Sequence, residues 1–350
     1  MTTPARRLLA VSVYLVAVGS LSTSGAHGAV PARSEGAVVA LAVPGALAVS
    51  HEGVLYVVDW RRDQILRRMA NGRFRVVAGT GRRGFSGDGH LATHAEISVG
   101  QQSGLAVAGN GAIYFGDVGN ERVREVLPNG VIETVAGGGS TPLGTSPVPA
   151  RRARLGPFGA LALGPGGQLY IGAAGVYELA DGSLVWVVGS AALDLNRGFR
   201  TYGANPAFQR DLTPAYTVAV DGAGDVLVGG GQTWSLYERT TAGVLRFVQE
   251  DRAPGGYYAA MATAPDGSVV IAGGAHGLAR FRPSGRITSI PAKGLTTILP
   301  APNYFTVGEG VAVAPNGTIY LVTDAQNGFS NVSAIVEVAL DGRTHLVWMS

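Results

Sequence analysis

The stretch Gly104 to Gly137, GLAVAGNGAIYFGDVGNERVREVLPNGVIETVAG, holds four short apolar runs separated by turn residues. Leu105–Ala108, Ala112–Gly116, Arg122–Leu127 and Val131–Ala136 alternate or cluster apolar side chains, as half-buried or buried strands do. Asn110-Gly111 and Asn129-Gly130 predict two-residue hairpin turns, which need positive φ. One such four-stranded meander makes a poor domain, because both of its faces require cover. Its recurrence supplies that cover.

The first turn recurs at Gly53, Gly111, Gly167, Gly224, Gly267 and Gly317, each followed by an apolar strand such as VLYVVD, AIYFGD or TIYLVTD. The second recurs at Gly72, Gly130, Gly182, Gly243, Gly285 and Gly342. Within each pair the interval is 19, 19, 15, 19, 18 and 25 residues, by subtraction of those positions. Four-stranded repeats of about 40–45 residues are the signature of propeller blades, whose radial packing covers both sheet faces. An all-β, six-bladed β-propeller of four-stranded antiparallel blades is the expected fold, filling 38–350.

The unit, with GLAV…NGxIYxxDxxNxRVRxV…NG as its core, resembles the NHL repeat. Val77 to Ile97, VAGTGRRGFSGDGHLATHAEI, is similar to the VAGTGxxGFSGDGGPAxxAxL segment of bacterial NHL proteins and teneurin-like propellers. His90 and Leu91 stand where that pattern has Gly-Pro. The likeness runs from about Val43 to the C-terminus and is clearest in blades one, two and six. It implies a six-bladed propeller and no single activity.

The chain has 350 residues, 53 of them glycine, and only 15% are charged, which suits a turn-rich repeat protein. Its net charge of +3 owes two units to Arg6 and Arg7, so the remainder is nearly neutral and the basic pI is weak support for an anionic partner. With no cysteine there is no disulfide, thiol nucleophile or thiolate metal site. Arg6-Arg7, the apolar LLAVSVYLVAV and Ala26-His27-Gly28 form the three parts of a secretory signal over 1–29, with a linker at 30–37. The apolar run is shorter than the ~20 residues of a span. A secreted or extracytoplasmic protein, without a membrane span after cleavage, is expected.

Long connections are expected where the fourth strand of one blade leads to the first of the next, on one rim; the other rim should carry only tight glycine turns. Binding groups favour loops over a rigid scaffold. Ligand-binding candidates there are Arg82, Arg83, Phe85, Arg151, Arg152, Phe158, Tyr216, Tyr257, Tyr258, Tyr304 and Glu309. Asp59, Asp117, Asn120, Asp324 and Asn327 read as structural turn residues, since Asx side chains bind nearby amides. Gly84 to Gly89 reads as a glycine-shaped structural loop: the strand, helix and Gly-Lys-Ser/Thr of a phosphate loop are missing, and Asp88 is one carboxylate where calcium needs several oxygens.

No catalytic residue, metal or cofactor is expected. His90 and His94 are four apart, but neither His51, His276 nor His345 supplies an evident third ligand of the kind catalytic zinc takes. The resulting expectation is a binding module for a protein or envelope polysaccharide, with no nucleic-acid partner because export removes it from RNA. The alternatives are a propeller enzyme of the lyase or lactonase type acting at the central channel, where Glu309 alone would not hold a metal, and an inert envelope scaffold.

Overall fold

The computed structural model describes residues 36–189, 215–230, 235–250, 258–273, 277–283, 285–293, 304–327 and 330–350, within one unit, Arg33–Ser350. The expected signal and most of the linker lie outside them. Six antiparallel four-stranded blades form a six-bladed β-propeller, with no α-helix among the described residues.

After β1 (Val38–Val39), blade one is β2 (Pro44–Val49), β3 (Leu55–Asp59), β4 (Gln64–Arg68) and β5 (Phe74–Ala78). Blade two is β6 (Leu105–Val107), β7 (Ile113–Asp117), β8 (Arg122–Val126) and β9 (Ile132–Gly137). The connection that follows carries β10 (Thr141–Pro142), β11 (Val148–Pro149) and β12 (Ala153–Arg154). Blade three is β13 (Leu161–Leu163), β14 (Leu169–Gly172), β15 (Gly175–Ala180) and β16 (Ser183–Gly189); blade four is β17 (Ala215–Val220), β18 (Val226–Gly230), β19 (Ser235–Arg239) and β20 (Leu245–Glu250). Blade five is β21 (Tyr258–Thr263), β22 (Val269–Gly273), β23 (Leu278–Phe281) and β24 (Ile287–Ser289). Blade six is β25 (Tyr304–Val313), β26 (Ile319–Asn327), β27 (Ser330–Val338) and β28 (Thr344–Met349).

Period-2 alternation sends neighbouring side chains of one strand to opposite faces. In β3, Tyr56 and Val58 join the apolar cluster shared with blade two, while Leu55 and Val57 join the one shared with blade six. Blades two and three, three and four, four and five, and five and six each share a cluster of the same kind. The ring is therefore closed by side chains packed between blades six and one. No strand is exchanged there: blade six is complete in itself. Val38–Val39 instead pairs with Arg75 and Phe74 at the outer edge of blade one.

All twelve hairpin glycines have φ between 73° and 87°. Asp181-Gly182, between the paired Ala180 and Ser183, is a two-residue turn with positive φ at both positions, whereas the turns at Asn110-Gly111 and Asn129-Gly130 differ from the two-residue form expected. Gly111 N–H donates to the Ala108 carbonyl at 2.8 Å and Ala108 N–H to Ala112 at 2.8 Å, which makes a three-residue loop. Asn110 keeps negative φ, so a left-handed pair is excluded and only the glycine is left-handed, as in a type I turn with a bulge. The Asn110 side chain accepts the Ala112 N–H at 3.0 Å.

The long connections also serve a purpose that their length does not reveal. His90, Leu91 and Ala92 hydrogen-bond along the outer edge of blade two, at Ile132, Val131 and Gly130. Val148–Pro149 pairs with Leu184 and Ser183 at the edge of blade three, and Lys293 N–H donates to Gly342 in blade six. Unpaired strand edges invite aggregation, and these segments cover them. Replacing Gly111 by Val should lower stability in urea unfolding by roughly 1–2 kcal/mol, the cost of a left-handed L-residue; an unchanged midpoint would contradict the turn assignment.

Candidate functional site

The first long connection is held down by the strand ends of blade two. Arg124, in the middle of β8, is wholly buried. Its Nη1 donates to Asp117 Oδ2 at 3.1 Å, and Nη2 donates to the Ser86 carbonyl at 2.9 Å while lying 2.9 Å from Asp88 Oδ1. Asn120 Nδ2 donates to the Gly84 carbonyl and to Asp117 Oδ1, both at 2.7 Å. Asp117 Oδ1 also accepts the Ser98 N–H at 2.6 Å. Burial pushes the Asp117 carboxyl above the ordinary carboxylate value, against the opposing pull of Ser98, Arg124 and Asn120. One buried guanidinium thus ties Ser86 and Asp88, the heart of the glycine-rich loop, to the blade.

Asp59 does the corresponding work in blade one, where Oδ2 accepts the Ala42 N–H at 2.7 Å. Burial raises its carboxyl too. Asp63, not singled out in the sequence, adds a further tie: Oδ1 accepts the Val99 N–H at 3.1 Å and Oδ2 lies 3.3 Å from Arg83 Nε. Asp324 and Asn327 depart from the expectation. Both belong to β26, where Asp324 pairs with Thr306 and Ser333, and Asn327 with Ser330. Blade six simply continues its ladder past the point where the other blades turn.

The loop so fixed presents Phe85, 43% exposed. The Arg122 guanidinium stands 3.9 Å from its ring centroid and that of Arg124 4.9 Å, within cation–π range. Arg82 and Arg83 flank it with side chains 83% and 67% exposed, paired to Glu96 and Asp63. Arg82, Arg83 and Phe85 therefore lie together on the connection between blades one and two.

The remaining candidates are dispersed. Arg151 and Arg152 sit in a one-turn 3-10 helix between blades two and three, Arg151 pairing with Glu133 at 3.2 Å. Phe158 is half-buried and packs on the apolar cluster of those blades. Tyr216, Tyr258, Tyr304 and Glu309 occupy strands β17, β21 and β25; Tyr257 and His276 lie outside the described residues. Register irregularities fall between the first and second strands of blades one, four, five and six, the last spanning Val307 to Val311 and so including Glu309, and between the third and fourth strands of blades one, two, three, four and six.

A signal for the dispersal was present in the sequence. Leu91-Ala92-Thr93-His94-Ala95-Glu96-Ile97 and Pro149-Ala150-Arg151-Arg152-Ala153-Arg154-Leu155 share one spacing of small and aliphatic residues. In both, the two alanines and the final aliphatic side chain are buried and a 3-10 turn bridges successive blades. Arg151 and Arg152 occupy the positions of Thr93 and His94, on the outer side of a structural wedge.

The rim of tight turns is not featureless. A cleft of about 310 Å³ opens between blades one and two, lined by Ser50, His51, Glu52, Tyr56, Asn110 and Pro128 among others. Among the described residues, one group of His, Asp or Glu converges closely enough to hold a metal ion, and it also lies at a turn: Asp221, Asp225 and Glu238 in blade four. Composition hid it, because two of the three flank the turn between β17 and β18 and the third stands on β19.

No known family model matches the chain, so the NHL-repeat and teneurin-like resemblance of its blades is not confirmed by one. Solved structures similar to it include virginiamycin B lyase from Staphylococcus aureus in a catalytically inactive form with quinupristin, at 14% identity over 89% of this chain and 87% of that one, TM-score 0.49. A gluconolactonase from Xanthomonas campestris follows at 12%, 90% and 89%, TM-score 0.47. The calcium-binding regucalcin of Agrobacterium tumefaciens shows 11%, 83% and 85%, TM-score 0.49. A likeness of that degree assigns no activity.

Replacing Arg124 by Met should cost about 3–5 kcal/mol, because it leaves Asp117 buried without its cation, and should expose 84–89 to limited proteolysis. Arg151→Ala, which breaks a solvated pair, should stay within about 1 kcal/mol. Equal losses in urea unfolding would refute the latch.

Proposed function

We propose that this propeller is an exported binding module that engages a carboxylate- or phosphate-bearing partner, an envelope polysaccharide or an acidic protein surface, through the connection between blades one and two. The observation that carries the reading is the exposed Phe85 ring, set beside Arg122 and flanked by Arg82 and Arg83 on a loop anchored by a buried arginine. Guanidinium groups bind carboxylate and phosphate in bidentate fashion, and a ring held rigid loses little freedom on contact. Export is supported by the three-part pattern of residues 1–29. Mass spectrometry of the protein from its native host should find an N-terminus near Ala29; intact Met1 would remove the envelope from consideration.

A second reading, an enzyme of the lyase or lactonase type at the mouth of the central channel, is favoured by the register shift within β25, the first strand of blade six. Bulges concentrate beside active sites, where they re-aim side chains, and Glu309 falls within the irregularity of β25. The similar structures include proteins named as lyase and gluconolactonase. The two readings separate in one experiment. Binding to envelope extract should fall several-fold in Phe85→Ala and in Arg82→Ala, more at low salt than at high, and remain unchanged in Glu309→Gln. Turnover of a lactone panel that Glu309→Gln abolishes, with no envelope binding by the parent protein, would establish the enzyme instead.

A further inference from the structure

Blade four breaks the repeat at one place. In every blade the first hairpin is framed by two residues: Ser50 and Val54, Ala108 and Ala112, Gly164 and Gln168, Ala264 and Ser268, Ala314 and Thr318 in the other five. Their backbones make the same contact, the earlier N–H donating to the later carbonyl. None is acidic. Blade four puts Asp221 and Asp225 there, with the Asp221 N–H bound to the Asp225 carbonyl at 2.9 Å.

The third strand departs in step with the turn. Blades two, three and six pair a tyrosine of the second strand with a glutamate of the third: Tyr114 with Glu125, Tyr170 with Glu178 and Tyr320 with Glu337. Tyr114 hydrogen-bonds its glutamate. In blade four the tyrosine is replaced by Leu227, opposite Glu238. Glu238 thus loses a hydroxyl partner where two carboxylates have been added. Ligand oxygens of Asp221, Asp225 and Glu238 lie within 4.8 Å of one another.

The hydrogen bonds leave specific oxygens over. Asp221 Oδ1 accepts the N–H groups of Ala223 and Asp225, both at 2.9 Å, and Asp225 Oδ1 accepts the Thr241 N–H at 2.7 Å. Asp221 is wholly buried and Glu238 is 2% exposed, yet Asp221 Oδ2 and Glu238 Oε1 are buried without any hydrogen-bond partner. Arg246 stands 3.6 Å from the other oxygen, Glu238 Oε2, through a largely exposed side chain. Burial, with repulsion from Asp225, raises the carboxyls of both Asp221 and Glu238. A buried acceptor left unpaired is unfavourable, and three carboxylates against one guanidinium leave a local deficit of two positive charges.

We propose that Asp221, Asp225 and Glu238 bind one divalent cation of the hard, oxygen-seeking class, calcium in particular, at the turn end of blade four. Calcium tolerates irregular sets of carboxylate oxygens, whereas magnesium demands near-octahedral geometry and retains water. The site lies beside the seam with blade five, where Gly222 N–H donates to the Gly267 carbonyl at 2.8 Å. A cation there would fasten the turn of β17 and β18 to strand β19 and steady the seam. Its role is structural, and it is independent of the loop bearing Phe85.

The test uses the purified protein stripped with EDTA. Equilibrium dialysis against calcium should give one ion per chain, and calcium should raise the thermal midpoint by several degrees, magnesium by less. Glu238→Gln and Asp225→Asn should each weaken calcium binding tenfold or more while leaving the EDTA-treated protein folded, since each removes repulsion. Glu178→Gln, at the corresponding place in blade three, should bind as the parent does. Failure of the parent to take up calcium at millimolar concentration would overturn the proposal. So would uptake undiminished in both Glu238→Gln and Asp225→Asn, which would place the cation elsewhere. Magnesium binding tighter than calcium would overturn the choice of ion.

Discussion

Each blade is a thin sheet with apolar side chains on both faces, and that constraint governs the rest of the structure. Tyr56 and Val58 on one face of β3, and Leu55 and Val57 on the other, are all nearly or wholly buried. Burying a Val or Leu side chain is worth about 1.5–3 kcal/mol, so a blade standing alone would forfeit much of its stability on two sides. Placing blades in a closed ring gives every face a neighbour. Closure follows from the same packing, with Leu47, Val57 and Leu66 meeting Ala312, Val322 and Ile335 across the last seam. Where side chains complete the ring, no strand has to be exchanged between the ends of the chain. The N-terminal strand is free to cover the edge of blade one.

Covering faces leaves edges, and the inter-blade connections deal with these. Each outermost strand of blades one, two, three and six hydrogen-bonds to the segment that enters its own blade. Connection length is therefore a structural requirement before it is a functional one. Ordering these residues costs about 1–2 kcal/mol each in backbone entropy, and the wedge alanines, the edge hydrogen bonds and the buried Arg124 offset it. The loop with Phe85 gains its rigidity from that arrangement. A rim built for packing becomes a candidate recognition surface only where a large side chain is left facing out.

The strand order, blade number and twelve turn glycines were legible because each depends on local chemistry repeated six times. The turn geometry was not, since Asn-Gly is compatible with both a two-residue and a three-residue loop until the pairing of Val107 with Ile113 is known. The edge-covering role of Val38–Val39 and His90–Ala92 depends on contacts between residues far apart in the chain, which no periodicity reports. Asp324 and Asn327 resemble Asp117 and Asn120 in spacing, but the longer ladder of blade six places them in a strand. Arg151 and Arg152 looked like partners of Arg82 and Arg83 by composition; the repeated Ala-x-x-Ala wedge assigns the two pairs to different seams.

In a repeat protein the residues that serve the scaffold recur, so chemistry beyond the scaffold is to be sought where one copy departs from the others. Two departures stand out, and they differ in kind. Arg124 takes a buried place in blade two, and although its Nε is buried without a hydrogen-bond partner, its charge is answered within the protein by Asp117 and Asp88, with Ser86 accepting a further hydrogen bond. It explains a loop. Blade four makes the opposite change: it loses a tyrosine, gains two aspartates, and ends with buried oxygens that the chain itself leaves unpaired. A structural network satisfies its own charges, whereas a binding site is left incomplete by the chain. By that criterion the latch belongs to the fold, and the acidic turn points beyond it.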